Sequence, residues 1–442
     1  MTAYFAEKAW LGAAEGFADN VLITTDDDRI ADVATDAAPG DAHRLPGLVI
    51  PGLANAHSHA FHRALRGATA SGRGDFWTWR EQMYAVAGNL TPDTYLALAR
   101  ATYAEMALTG ITTVAEFHYL HHDRDGTPYA DPNAMGHALT QAAAEAGIRL
   151  VLLDTCYLQA DVDGKALAGP QLRFTDGDAD RWAERASTVD TPHPGAAIHS
   201  VRGCPPEAMR IVAAWAKTNG RPLHLHLSEQ VKENEACQAV HGMSPTELCA
   251  DTGVLGSFTT AVHATHLTEG DVRLLGSTRT GVCFCPTTER DLADGIGPAA
   301  ELVKAGAPLS LGSDSHAVID LFEEARAVEL NERLATNERG RHQAAELLAA
   351  ATEGGAYAAG LTGPYGIRAG ALADLVAVRT DTVRMAGAAE ADPVGAVVFA
   401  ATGGDVSHVV AGGRLVVEEG RHVSLDVPRE LRESIGVARR GV

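Results

Sequence analysis

The chain has 442 residues, of which 46% are hydrophobic and 5% aromatic, so it can bury a large core shared by about two or three structural units. Its 36 Lys and Arg residues are outnumbered by 57 Asp and Glu residues, and the net charge of -21 argues against nucleic acid and anionic membranes as partners. No apolar run approaches the roughly 20 residues that span a bilayer, the N-terminus lacks a signal-peptide pattern, and six cysteines do not form a disulfide framework in a chain of this size. We therefore expect a soluble, cytoplasmic protein with reduced thiols.

Both ends of the chain have the pattern of β-strands. Residues 1–50 contain short apolar runs separated by turn-forming residues, as in NVLITTDDDRIADV and HRLPGLVIPG. Residues 368–442 repeat this pattern in ADLVAVRTDT and in GAVVFAATGGDVSHVVAGGRLVVEEGRHV. The two segments look alike and could share one sheet.

Residues 51–367 alternate short apolar runs with longer segments of helical periodicity. In one such segment, TPDTYLALARATYAEMALTG, Thr91 can cap a helix, Pro92 can be its first residue and Gly110 can end it. The apolar runs are eight in number: LVIPGLANAH, ITTVAEFHY, IRLVLLDTCY, GAAIHSVRG, PLHLHLSEQ, TAVHATHL, GVCFCPTTE and APLSLGSDSH. They predict a distorted (β/α)8 TIM barrel, whose active site lies at the carboxyl ends of the strands.

Polar side chains are concentrated where these runs end, and no comparable set occurs where they begin. The pairs at the run ends are His57 and His59, Glu116 and His118, His199 and Arg202, His226 and Glu229, His263 and His266, and Asp314 and His316. His57 and His59 are two residues apart, so on a strand both imidazoles point to the same side and can take two coordination positions of a transition metal. His121 and His122, which follow the second apolar run, are instead expected to lie in a solvated loop.

Three later strand ends carry groups that can complete a metal site. They are His226 and Glu229 in HLHLSE, His263 in VHATH and Asp314 in GSDSH. A catalytic zinc ion keeps one position open for water, and the lowered pKa of that water lets a carboxylate accept its proton near neutral pH. Glu229 and Asp314 are therefore predicted proton carriers. For each later histidine taken singly a core or surface role is the favoured interpretation, so the prediction of a metal site depends on the agreement of four strand ends.

The motifs PGLANAHSH, HLHLSE, VHATH and GSDSH, in this order and at these intervals, resemble those of the amidohydrolase superfamily. The resemblance covers nearly the whole chain and implies a barrel with a small β-sandwich built from both termini, one zinc or other divalent metal ion per chain, and a homodimer. It implies His57, His59, His226 and Asp314 as metal ligands, and Glu229, His263 and Asp314 as catalytic residues. The fourth run, GAAIHSVRG, lacks the lysine that bridges two metal ions in other members. This favours a single metal ion.

A second set of motifs, HSHAFHRALRG, DFWTWREQMY, AEFHYLHHD, HSVR and CPTTERDLADG, resembles the superfamily members that hydrolyse N-formimidoyl-L-glutamate to N-formyl-L-glutamate and ammonia in histidine degradation. By motif, the resemblance implies as substrate-binding residues His62, Arg80, Tyr119, His199 and Arg202. The two guanidinium groups suit a small anionic amidine, because they bind carboxylates bidentately. Two positions depart from the pattern: His62 stands in place of glutamine, and TTERDLADG in place of TTEANLGDG. A histidine at position 62 can still donate a hydrogen bond to this substrate, or it can indicate that the enzyme acts on a different substrate.

Two other functions are compatible with these residues. A different aminohydrolase of the superfamily, acting on a purine, a pterin or a small amidine, would share the metal ligands and differ at Arg80, Tyr119 and Arg202. A catalytically silent metal-binding barrel is the non-enzyme alternative. It would lack at least one proton carrier, whereas this chain has them all, and the two arginines favour an anionic substrate.

Overall fold

The computed structural model describes residues 1–68 and 76–441, with the backbone alone described for 76–78. The strands are β1 (Thr2–Trp10), β2 (Phe17–Asp26), β3 (Arg29–Ala34), β4 (His43–Pro51), β5 (Leu53–Ser58), β6 (Ile111–His118), β7 (Arg149–Cys156), β8 (Pro194–Ile198), β9 (Leu223–Leu227), β10 (Thr259–His263), β11 (Gly281–Phe284), β12 (Leu309–Leu311), β13 (Leu375–Val378), β14 (Val406–Ala411), β15 (Arg414–Glu418) and β16 (Arg421–His422). They form two sheets, one from the middle of the chain and one from both ends.

Helices connect most of the strands. They are α1 (Phe76–Asn89), α2 (Pro92–Leu108), α3 (Ala134–Ala146), α4 (Ala179–Ala186), α5 (Pro206–Thr218), α6 (Val231–His241), α7 (Pro245–Asp251), α8 (Glu269–Thr278), α9 (Pro286–Asp291), α10 (Ala299–Ala305), α11 (Leu321–Thr336), α12 (Ala344–Ala349), α13 (Gly355–Ala358), α14 (Ala388–Ala391), α15 (Pro393–Phe399) and α16 (Val427–Ala438). Short 3-10 helices span Ala60–Leu65, Gly169–Phe174 and Gly403–Asp405, and a π-helical turn, Ala350–Gly354, joins α12 to α13. As predicted, Thr91 caps α2 and Pro92 is its first residue.

The central sheet contains β5 to β12 in sequence order, with each strand parallel to the next. All eight predicted apolar runs contribute a strand, and most strand residues are buried on both faces, which explains why the runs are almost continuously apolar. The loop after β12 closes the barrel against β5. The amide of Asp314 donates to the carbonyl of His57 at 3.0 Å, and the amide of His59 donates to the carbonyl of Asp314 at 3.2 Å. The predicted (β/α)8 barrel is confirmed.

The terminal sheet combines four strands from each end of the chain in the order β16-β15-β14-β13-β4-β1-β2-β3. The sheet folds over on itself, so that strands from its two halves come into contact. The Tyr4 hydroxyl of β1 donates to the carbonyl of Gly413 in the β14–β15 turn at 3.0 Å. Gly413 has a φ of +74°, and a Cβ there would lie 2.1 Å from the carbonyl oxygen of Asp27 in the β2–β3 turn. Only glycine allows these two turns to meet. A separate β-unit built from both termini is therefore confirmed.

The C-terminal segment, predicted to form strands, also contains three helices, α14, α15 and α16. GAVVF, residues 395–399, was expected to be a strand but forms most of α15. The cause is local: Pro393 occupies the first helical position, and the Asp392 side chain caps the helix by accepting from the Gly395 amide at 3.0 Å.

The terminal sheet and the barrel are packed against each other. Trp10, Ile50 and Val376 of the sheet belong to the same buried apolar cluster as the barrel strands. Helix α16 lies against α2, where Arg100 and Glu430 form an ion pair at 2.9 Å. Over residues 1–68 and 76–441, no helix is long and apolar enough to cross a membrane.

Candidate active site

Four predicted metal ligands converge at the carboxyl ends of the barrel strands. His57 and His59 lie at the end of β5, His226 lies in β9 and Asp314 follows β12. The Nε2 atom of His226 is 3.2 Å from that of His57 and 3.4 Å from that of His59. The Oδ1 atom of Asp314 is 3.4 Å from Nε2 of His57 and 3.5 Å from Nε2 of His59. Donor atoms from three separate parts of the chain therefore lie close together, and His57, His59 and Asp314 form one group that could hold a metal ion.

These distances fit a tetrahedral metal ion, since ligands held about 2.0 to 2.1 Å from zinc lie about 3.3 to 3.4 Å from one another. The ring orientations fit as well. Nδ1 of His59 lies 2.9 Å from the carbonyl of Phe117, and Nδ1 of His226 lies 2.9 Å from the carbonyl of His199. A carbonyl only accepts, so each Nδ1 carries the proton and each Nε2 keeps its lone pair for a metal. Burial lowers the pKa of His59 to about 3 and also lowers the pKa of His57 and His226, so the rings stay neutral near neutral pH.

His263 lies beside this cluster and is surrounded by carboxylates. Its Nε2 atom is 3.7 Å from Oδ2 of Asp314 and 3.8 Å from Oε1 of Glu229, and its Nδ1 atom is 3.4 Å from Oε1 of Glu289. Burial opposes the imidazolium, but these carboxylates raise the pKa of His263 well above its ordinary value. Burial raises the pKa of Glu229, whereas neighbouring imidazoles hold the pKa of Asp314 well below its usual range despite burial. The two carboxyl groups are thus suited to opposite roles in proton transfer.

The backbone adopts left-handed conformations where these side chains leave the strands. The φ values lie between 42° and 68° at Ser228, His263, Ala264, Asp314 and His316. L-residues rarely adopt this conformation, and where it occurs in clusters the surrounding structure must hold it in place. The turns therefore point His263 and Asp314 inward at a cost in backbone strain.

All the predicted substrate-binding and catalytic residues line one cavity of about 520 Å³. His57 lies behind its wall and is fully buried. The cavity is lined by His59, His62, Trp79, Arg80, Met83, Tyr84, Tyr119, Tyr157, His199, Arg202, His226, Glu229, His263, Leu292 and Asp314. The structure therefore places the candidate substrate pocket directly against the candidate metal centre.

The walls of this pocket are aromatic and hydrogen-bonded. Nε2 of His62, in the 3-10 helix after β5, lies 3.0 Å from the hydroxyl of Tyr119. The His199 ring stacks on the Tyr157 ring with 4.0 Å between centroids. Arg80 enters from α1, outside the barrel strands.

Arg202 forms part of a buried charged group next to the proton carriers. Its Nη2 atom is 3.3 Å from Oε2 of Glu229, and its Nε atom is 2.8 Å from Oε2 of Glu233. The other oxygen of Glu233 accepts from the Ser228 amide at 2.9 Å. Glu233 thereby holds both Arg202 and the left-handed turn that positions Glu229.

The site residues that sequence reasoning missed include Tyr84, Tyr157, Glu233 and Glu289. Glu289 lies within CPTTE, but nothing in that motif indicates that its carboxylate reaches His263. Glu233 lies in α6 among other glutamates. The signal that could have found Glu233 is its position: it follows Glu229 by four residues and lies in the first turn of α6, close to the end of β9.

The expectation of a solvated loop at His121 and His122 is wrong, since both side chains are buried. Nε2 of His121 lies 2.9 Å from the carbonyl of Thr155, and Nε2 of His122 lies 3.0 Å from a carboxylate oxygen of Asp176. The segment after β6 is covered by the segment after β7, a contact that local polarity does not reveal.

A parallel barrel with histidines and carboxylates gathered at the carboxyl ends of its strands defines a class of metal-dependent barrel hydrolases. The chain belongs to the amidohydrolase family, whose model matches residues 48–416. It is a hydrolase acting on C–N bonds.

The chain is similar along nearly its whole length to enzymes of this family. Formimidoylglutamate deiminase from Pseudomonas aeruginosa is 36% identical over 440 residues, which cover 96% of this chain and 96% of that protein. A 5-methylthioadenosine/S-adenosylhomocysteine deaminase from Natronomonas pharaonis is 30% identical, with 88% of this chain and 85% of that protein covered. The crystal structure of an amidohydrolase from Brucella melitensis matches with a TM-score of 0.91 at 32% identity and covers 99% of this chain and 100% of that one.

Proposed function

We propose that this enzyme hydrolyses N-formimidoyl-L-glutamate to N-formyl-L-glutamate and ammonia, a reaction of histidine degradation. The observation that carries the proposal is the presence of two guanidinium groups, Arg80 and Arg202, in the pocket that also contains Glu229, His263 and Asp314. The 36% identity to a formimidoylglutamate deiminase over 96% of the chain supports the same substrate.

The proposed metal ligands are His57, His59, His226 and Asp314, and the proposed ion is zinc. Neutral imidazoles with one carboxylate, separated by 3.2 to 3.5 Å, support a tetrahedral arrangement. Zinc bound there would act as a Lewis acid and would lower the pKa of a water molecule that joins the four protein ligands as a fifth ligand.

Asp314, His263 and Glu229 are the proposed proton carriers. Hydrolysis of the formimidoyl group forms a C–O bond, breaks the bond to the terminal nitrogen, and transfers both protons of the water to that nitrogen. The low pKa of Asp314 keeps this carboxylate ionised and so available as an acceptor, and the raised pKa of Glu229 increases the fraction that carries a proton for the nitrogen. His263 lies between them, 3.7 Å and 3.8 Å from their oxygens, and can orient the water.

The proposed substrate contacts are His62, Arg80, Tyr119, His199 and Arg202. An anionic amidine is repelled at long range by a chain of net charge -21, so the carboxylates of the substrate need local guanidinium groups. His62 is buried, its pKa lies well below the ordinary value because of that burial, and its Nδ1 atom has no hydrogen-bond partner among the described residues. We propose that the His62 ring, which lines the pocket, meets the substrate where related enzymes use glutamine.

A second candidate is deamination of a purine nucleoside. The observation that favours it is the aromatic wall formed by Tyr157 stacked on His199, which offers a surface for a flat base. The 30% identity to a 5-methylthioadenosine/S-adenosylhomocysteine deaminase supports the same alternative.

Substitution of the pocket arginines tests the proposal. Arg80→Met and Arg202→Met should each raise KM for N-formimidoyl-L-glutamate by about tenfold or more, because each removes a charged hydrogen bond to a carboxylate. Arg210→Met, in an exposed ion pair on α5, is the matched control. A simple formamidine that lacks carboxylates should be hydrolysed by the Arg80 variant as by the wild type. Equal losses on both substrates would contradict a carboxylate-binding role.

A further inference from the structure

Helix α1 forms one wall of the substrate pocket. Trp79, Arg80, Met83 and Tyr84 all lie in this helix and all line the cavity. Their spacing of one, four and five residues places them on one face of the helix. The shape of the pocket and the position of Arg80 therefore depend on where α1 is held.

The C-terminal end of α1 is held by Arg173, in the loop between β7 and α4. The Arg173 side chain is fully buried and donates to the carbonyls of Ala87 and Leu90, the latter at 2.9 Å. It also donates to the carbonyl of His122 at 2.9 Å and to the hydroxyl of Tyr129 at 3.2 Å. Carbonyls at the end of a helix lack intrahelical donors, and a cation is favourable there. One guanidinium thus joins α1 to the segments that follow β6 and β7.

A second residue of the same loop, Gln171, contacts the pocket side of α1. Its amide donates to the hydroxyl of Tyr84 at 3.1 Å and to the hydroxyl of Tyr157 at 3.4 Å. The Arg80 guanidinium carbon lies 5.6 Å from the centroid of the Tyr84 ring, within the range of a cation–π contact. Gln171 therefore orients the ring that supports Arg80.

The loop is anchored from the other side. The carbonyl of Arg173 accepts from the amides of His121 and His122, each at 3.0 Å. Three residues further on, Asp176 pairs with Nε of Arg185 at 2.8 Å and with His122 at 3.0 Å. The loop that holds α1 is thus itself attached to the segment after β6 and to α4.

We propose that Arg173 and Gln171 are positioning residues for substrate recognition: they fix α1 so that Arg80 binds one carboxylate of the anionic substrate. This inference rests on the proposed function. Neither residue contacts the metal ligands or the proton carriers among the contacts described. Their loss should therefore weaken binding of the charged substrate while the chemical step stays nearly unchanged.

The test compares Arg173→Met and Gln171→Leu with the wild type on N-formimidoyl-L-glutamate and on a simple formamidine that lacks carboxylates. Arg326→Met is the matched control, because Arg326 donates in the same way to the carbonyls of Phe399 and Ala401 at the end of α15. We expect KM for the charged substrate to rise about tenfold in both loop variants, with kcat within about twofold, since only a binding contact is displaced. Activity on the formamidine and bound metal per chain should match those of the wild type.

Three outcomes would overturn the inference: an unchanged KM in the Gln171 variant, equal losses on both substrates, or the same rise in KM in the Arg326 control. Gln171→Leu keeps the test decisive if Arg173→Met does not fold. A wild-type protein that does not hydrolyse N-formimidoyl-L-glutamate would instead overturn the proposed function, and this inference with it.

Discussion

Glu233 is a single buried carboxylate that holds two of the proposed functional residues, Arg202 and the turn before Glu229. Glu233→Gln keeps an acceptor for the Ser228 amide but removes the charge that faces Arg202. A charged hydrogen bond is worth about 1.5–3 kcal/mol, so we expect kcat/KM for the anionic substrate to fall roughly tenfold to a hundredfold. Steady-state ammonia release measures this loss. Glu235→Gln, at an exposed position of the same helix, is the control, and equal behaviour of the two variants would contradict this role.

Asp176 gives a prediction about pH because it pairs with both Arg185 and His122. Burial alone would raise its pKa, but these partners hold the pKa well below its ordinary value. A pKa that is depressed in the folded state adds stability above the unfolded value, about 3.9, and that stability is lost as the pH falls through the folded value. Asp176→Asn should therefore lower the free energy of unfolding by about 3–5 kcal/mol at pH 7.

The difference in the free energy of unfolding between Asp176→Asn and the wild type should become smaller as the pH falls below about 4. Urea unfolding of the metal-free proteins at several pH values measures it without the contribution of metal binding. Asp180→Asn, exposed in the first turn of α4, is the control. A difference that stays constant down to pH 3 would show that the carboxylate charge of Asp176 does not cause the stabilisation.

At the scale of elements, the junction of β12 with β5 closes the barrel and also places two metal ligands. Gly312 lies at this junction, where a Cβ would be 2.7 Å from Cβ of His57 and 2.9 Å from Sγ of Cys285. Gly312→Ala should displace His57 and weaken metal binding by about tenfold or more, as loss of an outer contact to a metal ligand does. Gly436→Ala in α16 is the control, because an added Cβ there has no atom within 4 Å. Metal retained at graded chelator concentrations measures the effect, and equal retention by both variants would contradict it.

The barrel could be predicted from the sequence because buried parallel strands are continuous apolar runs, each ending in polar residues that meet at one edge. Contacts between segments that are distant in the sequence could not be predicted in this way. Glu233 reaches Arg202 only because β8 and β9 are neighbours, and His121 is buried only because the segment after β7 covers it. GAVVF was predicted as a strand because its apolar run is short, and the capping pair Asp392 and Pro393 makes it a helix.

At the scale of the whole molecule, the terminal sheet and the barrel share one apolar core, and Arg149 of β7 pairs with Asp374 before β13 at 2.7 Å. We expect the two parts to unfold together, because separation would expose this shared core. Hydrogen exchange in increasing urea should show peptides from β1 and β9 losing protection at the same concentration. Two separate midpoints would contradict a single cooperative unit.

Three expectations about the whole molecule stay predictions: the division into residues 1–50, 51–367 and 368–442, the homodimer, and the cytoplasmic location. The sheet and the barrel share one apolar core. The three ranges therefore describe the topology of the chain, and we do not expect them to be independently stable units. Sedimentation equilibrium across a range of protein concentrations tests the homodimer directly.

The central claim is a metal-dependent deiminase for an anionic amidine. The most direct test is ammonia release by the zinc-loaded wild type with three compounds: N-formimidoyl-L-glutamate, 5-methylthioadenosine and a simple formamidine that lacks carboxylates. N-formyl-L-glutamate should be identified as the product from the first. Because the pocket contains two arginines, we expect kcat/KM to be at least about 100-fold higher for the formimidoyl dicarboxylate than for either alternative. Removal of the metal ion by a chelator should abolish this activity. Preferential release of ammonia from the nucleoside, or equal activity on the formamidine that lacks carboxylates, would contradict this claim.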